Sequence, residues 1–262
     1  MLELIINRDK EKKTIALVEN GKLLERYEET QETNRNEGNI YIGTVKDILS
    51  GMQSAFIDIG TEKNSFIHLK DILPKVDEKN EKLEIKEDIR KIIKQNDKLL
   101  VQVKKDSNDK KGARVSTHIS LPSRYIVLMP NTNIITISQK IEDKKERERL
   151  LEIVKKSISK GNGAVIRTSA KGKNEDEILK DIKVIEKKWE DINASYKDYN
   201  SNKPKLIYKS EDIIEKIIID MIDKNLETIV VNKKEDEKMK SGKGMKNMMK
   251  NINMDDLKNF KM

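Results

Sequence analysis

Two aromatic rings on the polar side of neighbouring strands are the residues best suited to contact a ligand. Phe56 and Phe66 are two of only three phenylalanines in 262 residues, and both fall in QSAFIDIGTEKNSFIHLKD, residues 53–71. Strand alternation predicts that Phe56 faces away from the apolar side chains beside it, and that Phe66 and His68 do the same on the next strand. Exposed rings of this kind stack on unpaired bases, so the pattern favours single-stranded nucleic acid.

A basic stretch later in the chain is predicted to lie beside these strands. The segment KKDSNDKKGAR, residues 104–114, carries Lys104, Lys105, Lys110, Lys111 and Arg114. Lysine runs are usually solvated turns, but cations next to exposed rings are the combination that holds the phosphates and bases of a single strand. Two alternatives stay open: either ring packs under the charged stretch at residues 74–97, or the strand register is shifted by one residue.

The composition favours a polyanionic partner. Lysine and arginine number 54 against 46 acidic residues and the net charge is +8, so a basic footprint must be local. The absence of cysteine excludes disulfides and thiolate zinc sites. No apolar run approaches the roughly 18 residues of a membrane span, and the start MLELIINRD does not resemble a signal peptide. We therefore expect a cytoplasmic protein with no membrane partner.

The elements that must position the rings form a predicted barrel. Alternating apolar residues predict strands at about 40–49, 55–59, 65–69, 98–105 and 114–119. The stretch 74–97 is rich in Lys and Glu and has helical spacing in Ile85, Ile89 and Ile92. Five strands with a helix between the third and fourth are the plan of a small OB-type barrel. In such barrels the outward face of the second and third strands holds nucleic acid, and the two rings fall there.

The flanking segments are predicted to be strands and amphipathic helices. Asn20-Gly21 between apolar runs predicts a tight hairpin. After the barrel we expect two strands in SRYIVLMPNTNIITIS, a helix at about 142–159, a buried strand in GAVIRTS and a long helix that begins after Asn174. A last helix after Ser210 and the strand ETIVVN are expected to complete the core of the N-terminal hairpin. The predicted stripe of the long helix is Ile178, Ile182, Ile185, Trp189 and Ile192.

Six ordered motifs resemble a known family. The motifs NIYIGTV, SAFIDIG, SFIHLKDI, ISLPSRYIVLMPN, VIRTSAKGK and KKWEDI closely resemble the N-terminal half of bacterial ribonuclease E/G endoribonucleases, from about residue 1 to residue 230. The resemblance implies an α+β fold, in which an S1/OB-type β-barrel is inserted in a split ribonuclease H-like α/β domain and an α+β 5′-sensor domain follows. The implied boundaries are 1–36 and 209–232 for the ribonuclease H-like parts, 37–119 for the S1 RNA-binding domain, 120–208 for the 5′-sensor domain and 233–262 for a divergent low-complexity tail.

The resemblance also implies residue roles. Phe56, Phe66 and Lys111 align with RNA-contacting residues of the S1 domain, and the residues themselves add His68, Lys110 and Arg114 to that set. Arg167 and Thr168 of VIRTSAKGK, helped by Val127, align with the residues that hold a 5′-terminal monophosphate. An arginine at the end of a buried strand offers planar, bidentate donors that match a phosphate monoester, and a structural ion pair is the alternative.

Two departures from the family pattern predict weaker phosphate contacts. Ser123 stands where the family often has glycine. Gln139-Lys140 stands where a basic pair that includes arginine is common.

No catalytic or metal-binding residue is predicted in this sequence. The family's catalytic domain, in which two aspartates hold a magnesium ion, is expected to begin close to where this sequence stops. Asp255 and Asp256 are adjacent and make a poor metal site, and SGKGMK lacks the pattern of a phosphate loop. No cofactor is therefore expected in this chain. His68 and His118 have no partner motif around them, so we do not expect the chain alone to cut RNA.

Three functions fit the sequence. The first is an RNA-recognition module that binds single-stranded RNA and reads its 5′ end during RNA processing and decay. The second is part of a working magnesium-dependent endoribonuclease whose catalytic half is on another chain. The third, a ribosome-associated S1 RNA-binding protein, leaves the VIRTSAKGK segment unused.

Overall fold

A computed structural model describes residues 2–8, 12–30, 36–72, 88–211 and 226–231 of the chain. These residues belong to two compact units, one holding the two ends of the chain (1–34 and 211–262) and one holding residues 35–210. The described helices are α1 (Ile89–Ile92), α2 (Lys144–Ser157) and α3 (Glu175–Lys197). The described strands are β1 (Leu2–Arg8), β2 (Lys12–Glu19), β3 (Lys22–Thr30), β4 (Ile40–Leu49), β5 (Ser54–Asp58), β6 (Ser65–His68), β7 (Lys98–Lys105), β8 (Arg114–Ser116), β9 (Leu121–Pro122), β10 (Ile126–Pro130), β11 (Ile135–Ile137), β12 (Asn162–Ile166), β13 (Lys205–Tyr208) and β14 (Leu226–Val231).

The described part of the unit formed by the chain ends is a four-stranded sheet in the order β14-β1-β2-β3. β14 runs parallel to β1, whereas β1, β2 and β3 are antiparallel. Asn20 and Gly21 have φ values of 50° and 77°, so the predicted Asn-Gly hairpin is confirmed. The predicted helix after Ser210 and the tail from residue 233 lie outside the described residues. One face of the sheet buries Leu4, Ile6, Ile15 and Leu17.

Five strands of the second unit close into the predicted OB-type barrel. They follow the order β4-β5-β6-β8-β7, and β7 pairs back onto β4. The last strand is shorter than predicted and ends at Ser116, because the next residue, Thr117, donates its backbone N–H to the Asp71 carbonyl. The predicted helical stretch is described only from residue 88, the N-cap of α1. The barrel core is aliphatic apart from Tyr41 and includes Val45, Ile57, Ile67, Val101 and Val115.

A further strand joins the barrel sheet from far along the chain. β13 runs antiparallel to the first part of β4, with Lys205 opposite Ile42 and Leu206 opposite Tyr41. The sequence pattern did not predict this strand. Its pairing places the connection that precedes it, residues 198–204, against the barrel, where the Thr44 hydroxyl donates to the Asn202 carbonyl at 3.2 Å.

A second sheet in the same unit has the order β11-β12-β10-β9 and carries α2 and α3 on one face. Asn174 and Glu177 form a capping box at the start of α3, as predicted. The predicted strand GAVIRTS ends at Ile166, and residues 168–170 form a 3-10 turn. Within the described ranges, no helix has the length and apolarity that crossing a membrane requires. The predicted stripe of α3 is confirmed, because Ile178, Ile182, Ile185, Trp189 and Ile192 are all buried.

Candidate nucleic-acid interface

The two rings form a cross-strand pair, which we call the aromatic pair. Phe56 and Phe66 are direct partners in the antiparallel β5–β6 ladder, and their ring centroids lie 6.2 Å apart at an interplanar angle of 69°. This edge-to-face contact holds the rings in place and contributes about 0.5–1.5 kcal/mol beyond burial. Ala55, Ile57 and Ile67 are fully buried in the barrel, whereas both phenylalanines are only half-buried. The predicted alternation is confirmed, and the rings lie on the outward face.

His68 lies on the same outward face, two residues after Phe66. Its Nδ1 accepts the backbone N–H of Lys70 at 3.2 Å and so caps the 3-10 turn formed by residues 69–71. A neutral His68 in this arrangement carries its proton on Nε2, which makes that nitrogen a hydrogen-bond donor. The side chain can therefore offer a donor beside the aromatic pair.

The loop of residues 106–113 is tied to the end of β6. The Asn108 side chain accepts the backbone N–H groups of Lys110 and Lys111, at 3.1 and 2.8 Å. Lys63 donates to the carbonyls of Asn108 and Asp109, at 3.1 and 2.7 Å. Gly112 is required for the close approach, because a Cβ there would lie 1.9 Å from the Asn64 carbonyl oxygen. These contacts present the exposed side chains of Lys110 and Lys111 beside the strand that carries Phe66.

Lys104 does not project from this loop as the sequence suggested. Its ammonium donates to the Gln102 side chain at 2.6 Å and to the Ser120 hydroxyl at 3.1 Å. Burial lowers the pKa of Lys104. His118, the other histidine of the chain, also has its pKa lowered by burial. Lys104 is therefore a structural residue that ties β7 to the segment after β8.

Arg114 is already bound by a carboxylate. It is the register partner of Phe66 across β6 and β8, so it lies next to the aromatic pair. Its Nε donates to Asp71 at 3.1 Å and its Nη2 donates to both Asp71 oxygens, at 2.8 and 3.2 Å. The guanidinium is half-exposed, but any phosphate must compete with Asp71 for its donors.

We expect Asp71→Asn to strengthen single-stranded RNA binding by up to about five-fold. The reason is that exposed ion pairs are worth roughly 0.2–1 kcal/mol, and the substitution removes the carboxylate that competes for Arg114. Fluorescence anisotropy with a labelled oligonucleotide measures the change. The fold should persist, because Ser116 and Thr117 bond to the backbone carbonyl of Asp71 and not to its side chain.

The matched control for this prediction is the same substitution in an Arg114→Ala background. There Asp71→Asn should leave the affinity unchanged. An equal gain with and without Arg114 would mean that the effect is one of general charge, and that Arg114 does not reach the RNA.

A second group of predicted residues meets where β12 ends. Arg167 donates Nη1 to the Ser123 carbonyl at 2.7 Å, and its backbone N–H bonds to the Tyr125 carbonyl at 2.8 Å. The Thr168 hydroxyl lies 3.0 Å from the hydroxyl of Ser138. Val127 is the register partner of Val165, two residues before Arg167 on the same face of the sheet. The structure therefore brings Arg167, Thr168 and Val127 to one end of the sheet.

The turn of residues 123–125 beside Arg167 is held by a partly buried carboxylate on α3. Asp181 accepts the Ser123 hydroxyl and the backbone N–H groups of Arg124 and Tyr125, the last two at 3.3 and 2.8 Å. Burial raises the pKa of Asp181. The Ser123 hydroxyl is thus engaged by Asp181.

Sequence reasoning missed the residues that position this group. Asp181 follows Ile178 by three residues and so lies on the apolar face of α3. A carboxylate within an apolar stripe was the sequence signal that could have identified it. Arg147 of α2 donates Nη1 to the carbonyls of Ser138 and Ile141, at 2.9 and 2.8 Å, and so fixes the turn that carries Ser138. No motif signalled Arg147. Gln139 and Lys140 in the same turn are exposed.

Across the described ranges, no three His, Asp or Glu side chains come together in a way that could hold a metal ion.

The fold and these side chains define an α+β protein that contains an OB-type barrel with a half-buried aromatic pair on its outward face. Residues 120–261 match the ribonuclease E/G family. Ribonuclease G of Haemophilus influenzae is 36% identical over 236 residues, which are 89% of this chain and 48% of that protein. Ribonuclease G of Escherichia coli is 34% identical over 233 residues, 88% of this chain and 47% of that protein. Ribonuclease E of Nostoc sp. is 35% identical over 196 residues, 74% of this chain and 28% of that protein.

The chain belongs to the ribonuclease E/G family, which confirms the resemblance seen in its motifs. It spans about half the length of the ribonuclease G relatives that it matches.

Proposed function

We propose that this chain binds single-stranded RNA on the outward face of its barrel and reads the 5′ end of the strand at Arg167. In this role it is the RNA-recognition part of a ribonuclease E/G-type endoribonuclease that acts in RNA processing and decay. Magnesium belongs to the catalytic domain of such an enzyme.

The aromatic pair is the observation that carries the proposal. Two rings that touch edge to face are already ordered before a ligand arrives, so stacking of a base on them costs little conformational entropy. Lys110 and Lys111 extend from a loop that is bonded to the same strand, because Phe66 donates its backbone N–H to the Ala113 carbonyl. Base stacking with adjacent cations favours a single strand over a duplex, whose bases are already stacked.

The Arg167 group supports the second half of the proposal. One guanidinium nitrogen is held by the Ser123 carbonyl, which orients the planar side chain, and the next residue, Thr168, has its hydroxyl 3.0 Å from the Ser138 hydroxyl. A phosphate monoester matches planar cationic donors with neighbouring hydroxyls. We further propose the domain assignment of the family for this chain: residues 1–36 and 209–232 as a split ribonuclease H-like domain, 37–119 as the S1 domain, 120–208 as the 5′-sensor domain and 233–262 as a tail.

The direct test is the affinity of the purified chain for matched ligands of one sequence. These are single-stranded RNA with a 5′-monophosphate, the same RNA with a 5′-hydroxyl, a circular form and a blunt duplex. We expect the order monophosphate, then hydroxyl and circle together, then duplex. Binding that is tightest for the duplex would overturn the barrel assignment, and equal binding of the first two ligands would overturn end sensing.

A further inference from the structure

A third aromatic ring lies on the same barrel, in the connection between α3 and β13. The Tyr199 ring has the Lys205 ammonium 5.2 Å and the Lys98 ammonium 6.0 Å from its centroid. Its hydroxyl donates to the Lys203 carbonyl at 2.8 Å, which holds the ring against the connection, and the ring is half-exposed. We call Tyr199, Lys98 and Lys205 the tyrosine site.

The tyrosine site and the aromatic pair lie on the outward side of the same barrel, on either side of Thr44, which is buried and donates to the Asn202 carbonyl. Thr44 on β4 is the register partner of Lys98 on β7 and of Asp58 on β5, so these three side chains form a row across the barrel. Phe56 is two residues from Asp58 on the same face of β5. With strand spacings near 5 Å and about 7 Å between alternate residues, Phe56 and Lys98 lie roughly 12 Å apart along this surface.

The charges along this row suit a polyanion. The Lys46 ammonium lies 3.2 Å from the Asp58 carboxylate and neutralises it. Asp58 also accepts the backbone N–H of Gly60. The neighbouring acid Asp97 accepts the backbone N–H of Lys94 at 2.8 Å. The Lys98 and Lys205 ammonium groups are attracted to the Tyr199 ring electrostatically. A phosphate carries a full negative charge and attracts them more strongly, so both can move from the ring to phosphate oxygens when an RNA strand binds.

We propose that the tyrosine site is a second contact for the same single-stranded RNA, with a base on Tyr199 and phosphates on Lys98 and Lys205. This inference rests on the proposed function of the aromatic pair. RNA that leaves the pair along β5 passes Lys46 and reaches the tyrosine site a few nucleotides away. The ligand class is therefore single-stranded RNA longer than the pair alone can hold.

The test compares two RNAs of the same composition: one of about 2 nucleotides, below the usual site size of an OB fold and too short to reach both contacts, and one of about 16 nucleotides. Tyr199→Ala should weaken binding of the long RNA by about 5- to 150-fold, the cost of one lost stacked base, and should leave the short RNA unchanged. The double substitution of Lys98 and Lys205 by alanine should lower the salt slope for the long RNA by about 1.4, or 0.7 for each phosphate contact.

Two control variants separate this contact from a structural role. Tyr199→Phe keeps the ring and should keep the long-RNA affinity, although it loses the bond to Lys203. Lys156→Ala removes one charge on α2, where Lys156 pairs with Glu152, and should not change the salt slope. If the short RNA binds through Phe56 but the tyrosine-site variants bind long RNA like the parent, this inference fails and the proposed function stands. If Phe56→Ala has no effect on either RNA, the proposed function fails first.

Discussion

Replacing Phe56 or Phe66 with alanine should weaken single-stranded RNA binding by about 1–3 kcal/mol for each ring, the usual cost of losing one stacked base. The expected loss is large because both rings lie on the outward face and touch each other across β5 and β6. Fluorescence anisotropy at fixed salt measures the affinity, and the midpoint of thermal unfolding shows whether the barrel persists. Since neither ring belongs to the barrel core, which is aliphatic apart from Tyr41, the fold should persist.

The double variant tests whether the two rings act as one platform. Residues in contact give non-additive effects, so the combined loss should differ from the sum of the single losses by 0.5 kcal/mol or more, about the lower limit seen for touching side chains. Additive losses would mean that each ring holds its base alone.

Lys111→Ala is the contrasting variant, because its side chain is exposed in the loop beside Phe66. It should lower the salt slope by about 0.7, the single-strand value for one phosphate contact, and leave base preference unchanged. If either phenylalanine change unfolds the barrel while binding per folded molecule stays constant, the ring is a core residue and the stacking platform is wrong.

Elements set by neighbouring residues were predictable from the sequence. The Asn20-Gly21 turn needs positive φ at two successive positions, which those two residue types adopt at low cost. The stripe of α3 follows from a period of 3.6, and the outward position of Phe56 follows from a period of 2. Each depends only on spacing along one element, and spacing is visible in a sequence.

Contacts between distant segments were not predictable. Arg114 and Asp71 are separated by 43 residues, and nothing in the run of cations distinguishes an arginine bound by a carboxylate from one that faces solvent. Asn202 reaches Thr44 across 158 positions, so the tyrosine site exists only because β13 joins the barrel. Lys104 looks like its neighbours in the sequence, and its burial depends on where Gln102 and Ser120 meet.

At the 5′ end of the RNA, Arg167→Ala should abolish the preference for a 5′-monophosphate over a 5′-hydroxyl. Hydrogen bonds to charged groups are worth about 1.5–3 kcal/mol, so the preference should fall by roughly 10- to 150-fold, to near unity. Arg167→Lys should not rescue it, because a lysine ammonium lacks the planar fork and cannot replace the bond that orients the side chain on the Ser123 carbonyl.

A circular RNA of the same sequence separates end sensing from general attraction. Because it has no end, Arg167→Ala should hardly change its affinity. The charge-matched control is Arg90→Ala, which removes an exposed guanidinium that pairs with Asp88 on the barrel and should leave the 5′-end preference intact. Equal losses on the monophosphorylated, hydroxyl-ended and circular RNAs would return Arg167 to a structural role, since its bond to the Ser123 carbonyl also joins the end of β12 to the turn that Asp181 holds.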